Sequence, residues 1–251
     1  MRRAMRPVVG PILHLRRLLV SNVWLLDGGP GDRWLVDTGH WSERLTLAAE
    51  LRRAGVEARA LTGVLLTHRH SDHAGNAAWL QRRFGVPVFA HRADAEVLDG
   101  TRPRKRLVRG EGSHLAAAIA QFENYAPVRL RVDRALDDGD VVAGLEVHWV
   151  PGHTEGSVLY RHATTRALLS GDALLAAIPP LTIRQGLALP YPTFTVDPAQ
   201  ALASLREFHR RGHPYAHLLA GHGRPILGDA RERAERMLAE RGVIEPRRAS
   251  A

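Results

Sequence analysis

The sequence predicts an α/β fold, and three observations carry that expectation. Short apolar runs rich in β-branched and aromatic residues recur along the chain, each bounded by Gly, Pro or Asp. Segments with helical periodicity lie between them, so strands and helices interleave from end to end instead of segregating into halves. The third observation is size. A chain of 251 residues with 45% hydrophobic and 24% charged content suffices for one sizeable core and excludes global disorder.

Taken in order, the expected strands are residues 8–15, 20–26, 33–36, 63–67, 86–90, 128–132, 145–150, 157–162, 167–170 and 217–220. The first expected helix spans 42–54, where Leu45, Leu47, Ala48 and Leu51 share a face, Ser42 stands as N-cap and Gly55 closes the end. A second covers 74–84 and is stopped by Gly85 and Pro87; helices at 114–125, 198–211 and 229–241 follow. Residues 99–113 are polar, basic and punctuated by Gly100, Pro103, Gly110 and Gly112, so they read as a long loop of the kind used for lids. No low-complexity linker divides the chain, and one domain over 1–251 is expected.

Composition narrows the chemistry. With no cysteine there is no disulfide, thiolate zinc site, iron–sulfur cluster or cysteine nucleophile, so any metal must be held by nitrogen and oxygen. The fourteen histidines stand out against that absence. The formal charge of +9 is concentrated in two segments, residues 1–20 with five arginines and 101–110 with five basic residues, neither holding an acid. The remainder sums to −1, and 34 of the 35 basic residues are arginine, which reads as a solvated arginine-rich surface and not as a nucleic-acid groove. No stretch approaches the roughly 18 apolar residues of a membrane span. The N-terminus lacks a leader pattern, so a cytoplasmic chain with no membrane partner is expected.

The chemistry concentrates where strand 63–67 gives way to a helix. There Thr67-His68-Arg69-His70-Ser71-Asp72-His73 places four potential ligands within six residues. Imidazole and carboxylate suit zinc, iron or manganese when thiolate is absent. A run of surface histidines is the alternative; it would prevail for a single histidine, but four spaced ligands after a strand argue against it. Three more strands run into a potential ligand with glycine beside it: Gly152-His153, Gly171-Asp172 and Gly221-His222. Ligands projecting from several strand ends into one crevice would make a rigid site.

With these residues the chain resembles the metallo-β-lactamase-fold superfamily. The HxHxDH motif stands as His68-Arg69-His70-Ser71-Asp72-His73, and the later ligand positions match His153, Asp172 and His222 in order. The resemblance implies a four-layer αβ/βα sandwich of two mixed sheets with the site at their edge. It implies two divalent ions, zinc expected with iron or manganese as alternatives. One would rest on His68, His70 and His153, the other on Asp72, His73 and His222, with Asp172 bridging. Asp37 matches an acidic position near the site and is expected to orient a ligand; a turn-forming Asp before glycine is the competing reading.

Two such ions bring +4, the two aspartates −2 and a bridging hydroxide −1, leaving roughly +1, which favours anionic or carbonyl-bearing small molecules. The implied chemistry is attack of that hydroxide on a carbonyl, with Asp72 taking or relaying the proton. Branches of the superfamily separate on single positions. A flavodiiron protein would hold Glu where His70 stands, and lactamases with a cysteine ligand are excluded. Glyoxalase II enzymes add a helical domain after the last ligand, whereas 29 residues follow His222; acyl-homoserine lactonases place Tyr where Leu175 stands. Tyr191, between Pro190 and Pro192, reads as an aromatic packed in a turn. The expected activity is hydrolysis of a small ester, thioester or lactone in the glyoxalase II-like or lactonase-like branch. A mononuclear iron persulfide-type dioxygenase and a metal-dependent nuclease using Arg102–Arg109 are the alternatives. His91 reads as structural, and His14, His40, His114, His148, His162, His209, His213 and His217 fit no ligand pattern.

Overall fold

Period-2 alternation sorts the apolar side chains of each strand between two cores, and that sorting builds the layers. The computed structural model describes residues 5–107, 118, 123, 127–178 and 184–245. A first sheet holds β1 (Ile12–His14), β2 (Trp24–Asp27), β3 (Arg33–Val36), β4 (Gly63–Leu65), β5 (Val88–His91) and β6 (Arg134–Leu136) in sequential order. It is antiparallel from β1 to β3 and parallel from β3 to β6. A second sheet comprises β7 (Val141–Val142), β8 (Leu145–Trp149), β9 (Val158–His162), β10 (Ala167–Gly171) and, at its far edge and parallel to β10, β13 (His217–Ala220). Between β10 and β13 in sequence, β11 (Leu175–Ile178) and β12 (Arg184–Ala188) pair antiparallel with each other.

Trp24, Leu26 and Leu65 of the first sheet meet Val147, Tyr160, Leu169 and Leu219 of the second in a shared core. Their neighbours Leu25, Leu35 and Val64 point the other way and pack against Leu47 and Leu51 of α1 (Arg44–Arg53) and Ala77 and Leu80 of α3 (Ala77–Phe84). On the opposite side, Leu168 and Leu218 pack against Leu205 and Phe208 of α5 (Pro198–Arg210) and Ala234 and Leu238 of α6 (Ala230–Glu240). The layers are therefore helix, sheet, sheet, helix, as expected. Each fully buried Leu contributes roughly 1.5–3 kcal/mol. The short α2 (Ser71–Ala74) and α4 (Arg92–Asp99) are further α-helices.

Several expectations are corrected in detail. The helix predicted at 42–54 opens as a 3-10 turn, Trp41–Glu43, capped by the side chain of His40 and not by Ser42. That tighter turn shifts the phase of the face, leaving Leu45 83% exposed while Leu47 and Leu51 are buried. The helix predicted at 74–84 is two helices, α2 and α3, and Gly85 closes the second in the left-handed conformation (φ 72°). Residues 128–132 form no strand: Val128, Leu130 and Val132 pack against the first outer core, and pairing starts only at Arg134. The strands β7, β11 and β12 and helix α4 were not anticipated. Apart from two positions, the helix expected at 114–125 lies outside the described residues, as does 108–113 of the basic loop. Within that loop Arg104 is no solvated surface residue, because its guanidinium is buried on the Glu123 carboxylate at 2.7 Å. Among the described residues no helix is long and apolar enough to cross a membrane.

Candidate metal centre

The C-terminal ends of β4, β10 and β13 converge with the β8–β9 turn, and all seven expected ligand residues stand there. His68 follows β4, His70 occupies the N-cap position of α2, and Asp72 and His73 lie within α2. His153 comes from the β8–β9 turn, Asp172 follows β10, and His222 follows β13. One potential ligand atom from each of His68, His70 and His153 lies within 4.8 Å of the other two. Asp72, His73, Asp172 and His222 form a second group by the same measure. Asp172 faces both: its carboxylate is 3.7 Å from His153 Nε2, 3.3 Å from His73 Nε2 and 3.4 Å from His222 Nε2. Asp72 lies 3.2 Å from His222 Nε2.

Glycine makes this crowding feasible at two places. A Cβ on Gly221 would lie 2.4 Å from Asp172 Oδ1 and 2.5 Å from a ring carbon of His73. Gly152, with φ +135°, lets the His153 turn sit against α5, where a Cβ would come within 2.2 Å of the Ala201 backbone nitrogen. Gly152→Ala is therefore expected to cost about 3 kcal/mol or more, combining backbone strain with a clash against main chain. Urea unfolding of the variant checks this, and an unchanged midpoint would contradict the packing.

The hydrogen-bond network fixes which ring nitrogen three of the histidines turn inward. Thr67 Oγ1 donates its one proton to Asp37 Oδ2 at 2.8 Å, so His68 Nδ1, 3.0 Å away, must be the donor to Thr67. Thr195 Oγ1 donates to the Tyr191 carbonyl, so His153 Nδ1, 3.2 Å away, donates to Thr195. His73 Nδ1 donates to Asp37 Oδ2 at 2.8 Å. In all three the Nε2 atom faces the centre, and His68, His70, His73 and His153 Nε2 together with Asp172 Oδ1 are buried with no hydrogen-bond partner. Buried polar atoms without partners are costly in a folded protein. Five of them aimed into one volume, all nitrogen or oxygen, fit divalent metal ions.

Charge separates the two groups. Burial and their histidine neighbours hold His68 and His70 well below the usual imidazole range, and burial brings His153 down to about 4 against the pull of Asp172. Those rings are neutral and available as ligands. Burial works against protonation of His73 and His222 too, but Asp72 and Asp172 outweigh it, raising His73 well above its ordinary value and His222 to about 10. Burial likewise pushes Asp72 and Asp172 up, and the same histidines more than reverse it.

Asp37 adopts φ +61°, a left-handed conformation that Asp tolerates, and accepts from Thr67 N, Thr67 Oγ1 and His73 Nδ1. His91 stays out of the centre, accepting from Ala93 N and stacking on Trp149 with ring centroids 5.0 Å apart. Sequence reasoning did not single out Thr67, Thr195 or the buried Arg69. Arg69 lies between the two motif histidines and pairs with Glu155 at 2.7 Å and Asp94 at 3.5 Å. Asp94 in turn accepts from Thr154 Oγ1 and Gly156 N, so this network ties the HxH turn to the His153 turn. Alternation across His68-Arg69-His70 is the one sequence signal for it, since it sends Arg69 away from the imidazoles.

A family model of the metallo-beta-lactamase superfamily matches residues 16–222. The chain belongs to that superfamily. It is 30% identical over 177 residues to the probable metallo-hydrolase YybB of Bacillus subtilis (strain 168), covering 70% of this chain and 69% of the relative. It is 32% identical over 166 residues to a hydroxyacylglutathione hydrolase of Anaeromyxobacter dehalogenans (strain 2CP-C), covering 66% of this chain and 51% of that protein. Among solved structures, the metallo-beta-lactamase family protein TTHA1429 from Thermus thermophilus superposes with TM-score 0.62 at 27% identity, over 92% of this chain and 79% of the other. TTHA1623 in a di-iron-bound form gives TM-score 0.57 at 26% identity, over 88% and 94%. This metallo-beta-lactamase superfamily member is accordingly a metal-dependent hydrolase.

Proposed function

We propose that the chain hydrolyses a small ester, thioester or lactone at a two-metal centre. The observation that supports this best is the convergence of partnerless, inward-facing Nε2 atoms on both sides of the Asp172 carboxylate. His68, His70 and His153 would hold one ion, Asp72, His73 and His222 the other, and Asp172 would touch both. Such ions supply Lewis-acid polarisation of a carbonyl and bring the pKa of water from 15.7 toward about 7.

The remaining work falls to the chain itself. Asp72 is the most exposed of the seven, with 26% of its side chain accessible, and it is ionised, so it is placed to take the proton released as water adds to the carbonyl. Asp37, Thr67 and Thr195 keep three imidazoles turned with Nε2 inward, so no reorientation is needed when substrate arrives. The thioester reading draws on the hydroxyacylglutathione hydrolase relative; nitrogen and oxygen donors suit zinc, and the di-iron neighbour supports iron as the alternative.

Asp37→Asn tests the orienting role. Asn accommodates the backbone but offers an amide where one donor now finds a carboxylate oxygen. A 10- to 100-fold loss of metal affinity is expected, the order found for partners that orient a ligand. Competition with a chromophoric chelator measures it, and parent-like affinity would assign Asp37 to the turn alone. Activity on a panel of lactones, thioesters and phosphodiesters tests the substrate class: turnover of phosphodiesters alone would overturn the acyl reading.

A further inference from the structure

A second cluster of metal-ligating side chains lies on the outer face of the second sheet, away from the seven-residue centre. Glu146 and His148 sit two residues apart on β8 and so share the face turned toward α5, while Val147 between them enters the inter-sheet core. The loop after α5 brings His213 against them, its ring centroid 4.2 Å from that of His148. One potential ligand atom from each of Glu146, His148 and His213 lies within 4.8 Å of the other two. Phe208 of α5 walls the cluster, stacked on His213 at 5.5 Å and edge-on to His148 at 5.3 Å.

Two details point to a ligand. His148 is 6% exposed, yet its Nε2 is buried with no hydrogen-bond partner, and the nearest acid, Glu146 Oε2, is 3.5 Å away. Glu146 is fixed by Arg161 on the neighbouring strand, whose Nη2 donates to Oε1 at 2.7 Å and to Oε2 at 2.6 Å and whose Nε donates to Oε2 at 3.0 Å. Those bonds leave a lone pair on Oε1, and they orient the carboxylate as an outer partner orients a ligand. Glu146 and His213 are half-buried, so solvent and a cation reach the cluster from one side.

We propose that Glu146, His148 and His213 form a separate site for one borderline divalent cation of the zinc class, completed by water. Two imidazoles and one carboxylate are the donors such ions select, whereas calcium or magnesium would call for more oxygen. Burial holds His148 down at about 4, and burial together with Arg161 lowers His213, so both rings are neutral at pH 7 and need shed no proton to bind. The bound cation would cross-link β8 to the loop after α5, and so raise the resistance of the second sheet to unfolding. Arg161 and Arg211 facing the cluster oppose the cation and Asp138 favours it, so the site is expected to be weaker than the seven-residue centre.

The test titrates the purified chain, with its tightly held metal in place, against Zn2+ alone, reading stoichiometry by native mass spectrometry and stability by thermal unfolding. One further, weaker equivalent and an upward shift in Tm are expected. His213→Asn, a change in a half-buried loop, should abolish both while leaving tight metal and hydrolysis unchanged; Glu146→Gln should do the same for the weak equivalent. Asp172→Ala should lose tight metal and keep the weak equivalent, which separates failure of this site from failure of the hydrolase reading. The proposal is overturned if the parent binds no further equivalent, or if that equivalent survives in both His213→Asn and Glu146→Gln, as it would for scattered surface histidines.

Discussion

Asp172→Ala is expected to remove metal and hydrolytic activity together. Its carboxylate stands 3.3–3.7 Å from the Nε2 atoms of His73, His153 and His222, so its loss strips a ligand from both groups at once. Partners that merely orient a ligand cost 10- to 100-fold, so removing a shared ligand should lower kcat/KM by more than about 100-fold. Charge acts in the same direction. Asp172 and Asp72 are what raise His73 and His222, and without Asp172 the centre gathers five imidazoles and a single acid. A cation would then meet one carboxylate charge where it now meets two. Elemental analysis beside steady-state kinetics reads the outcome, and full metal content in the variant would contradict the bridging assignment.

His70→Ala carries the second large effect, and it falls on one group alone. His70 occupies the N-cap position of α2 without a side-chain capping bond, and its buried Nε2 has no hydrogen-bond partner. Its ring therefore satisfies nothing in the folded chain that would explain a large functional loss by misfolding. The helix start is held instead by backbone bonds from His73 N and Ala74 N to the His70 carbonyl, which survive truncation. The expected result is loss of about one metal equivalent, a more than roughly 100-fold drop in activity and a native circular dichroism spectrum. Retained activity with parent stoichiometry would remove His70 from the ligand set.

The centre was legible in the sequence to the extent that its ligands are local or punctuated. Four of the seven stand within His68–His73, and the other three each follow a glycine at the end of an apolar strand. The residues that aim them were not legible, because their contacts close over long separations: Thr67 to Asp37, His153 to Thr195 and Arg69 to Glu155 meet only once the sheets have packed. The same holds for Glu146, His148 and His213, where two positions share a strand face but the third arrives from a loop 65 residues after His148. For the fold, bounded apolar runs placed the long strands correctly because each such strand is buried against the cores on its two sides. That signal failed at 128–132, where β-branched residues pack against a core without entering a ladder, and helical periodicity failed at Leu45, where a 3-10 turn resets the phase.

The central claim is that two ions at the seven-residue centre serve hydrolysis of an acyl bond. Metal quantification on the parent chain beside Asp172→Ala, paired with acyl-hydrolysis and oxygen-uptake assays on the same samples, tests it most directly. The account predicts two tightly held divalent ions per parent chain, turnover of a lactone or thioester without oxygen consumption, and loss of both in the variant. One iron per chain, with oxygen consumed on a persulfide substrate, would contradict it.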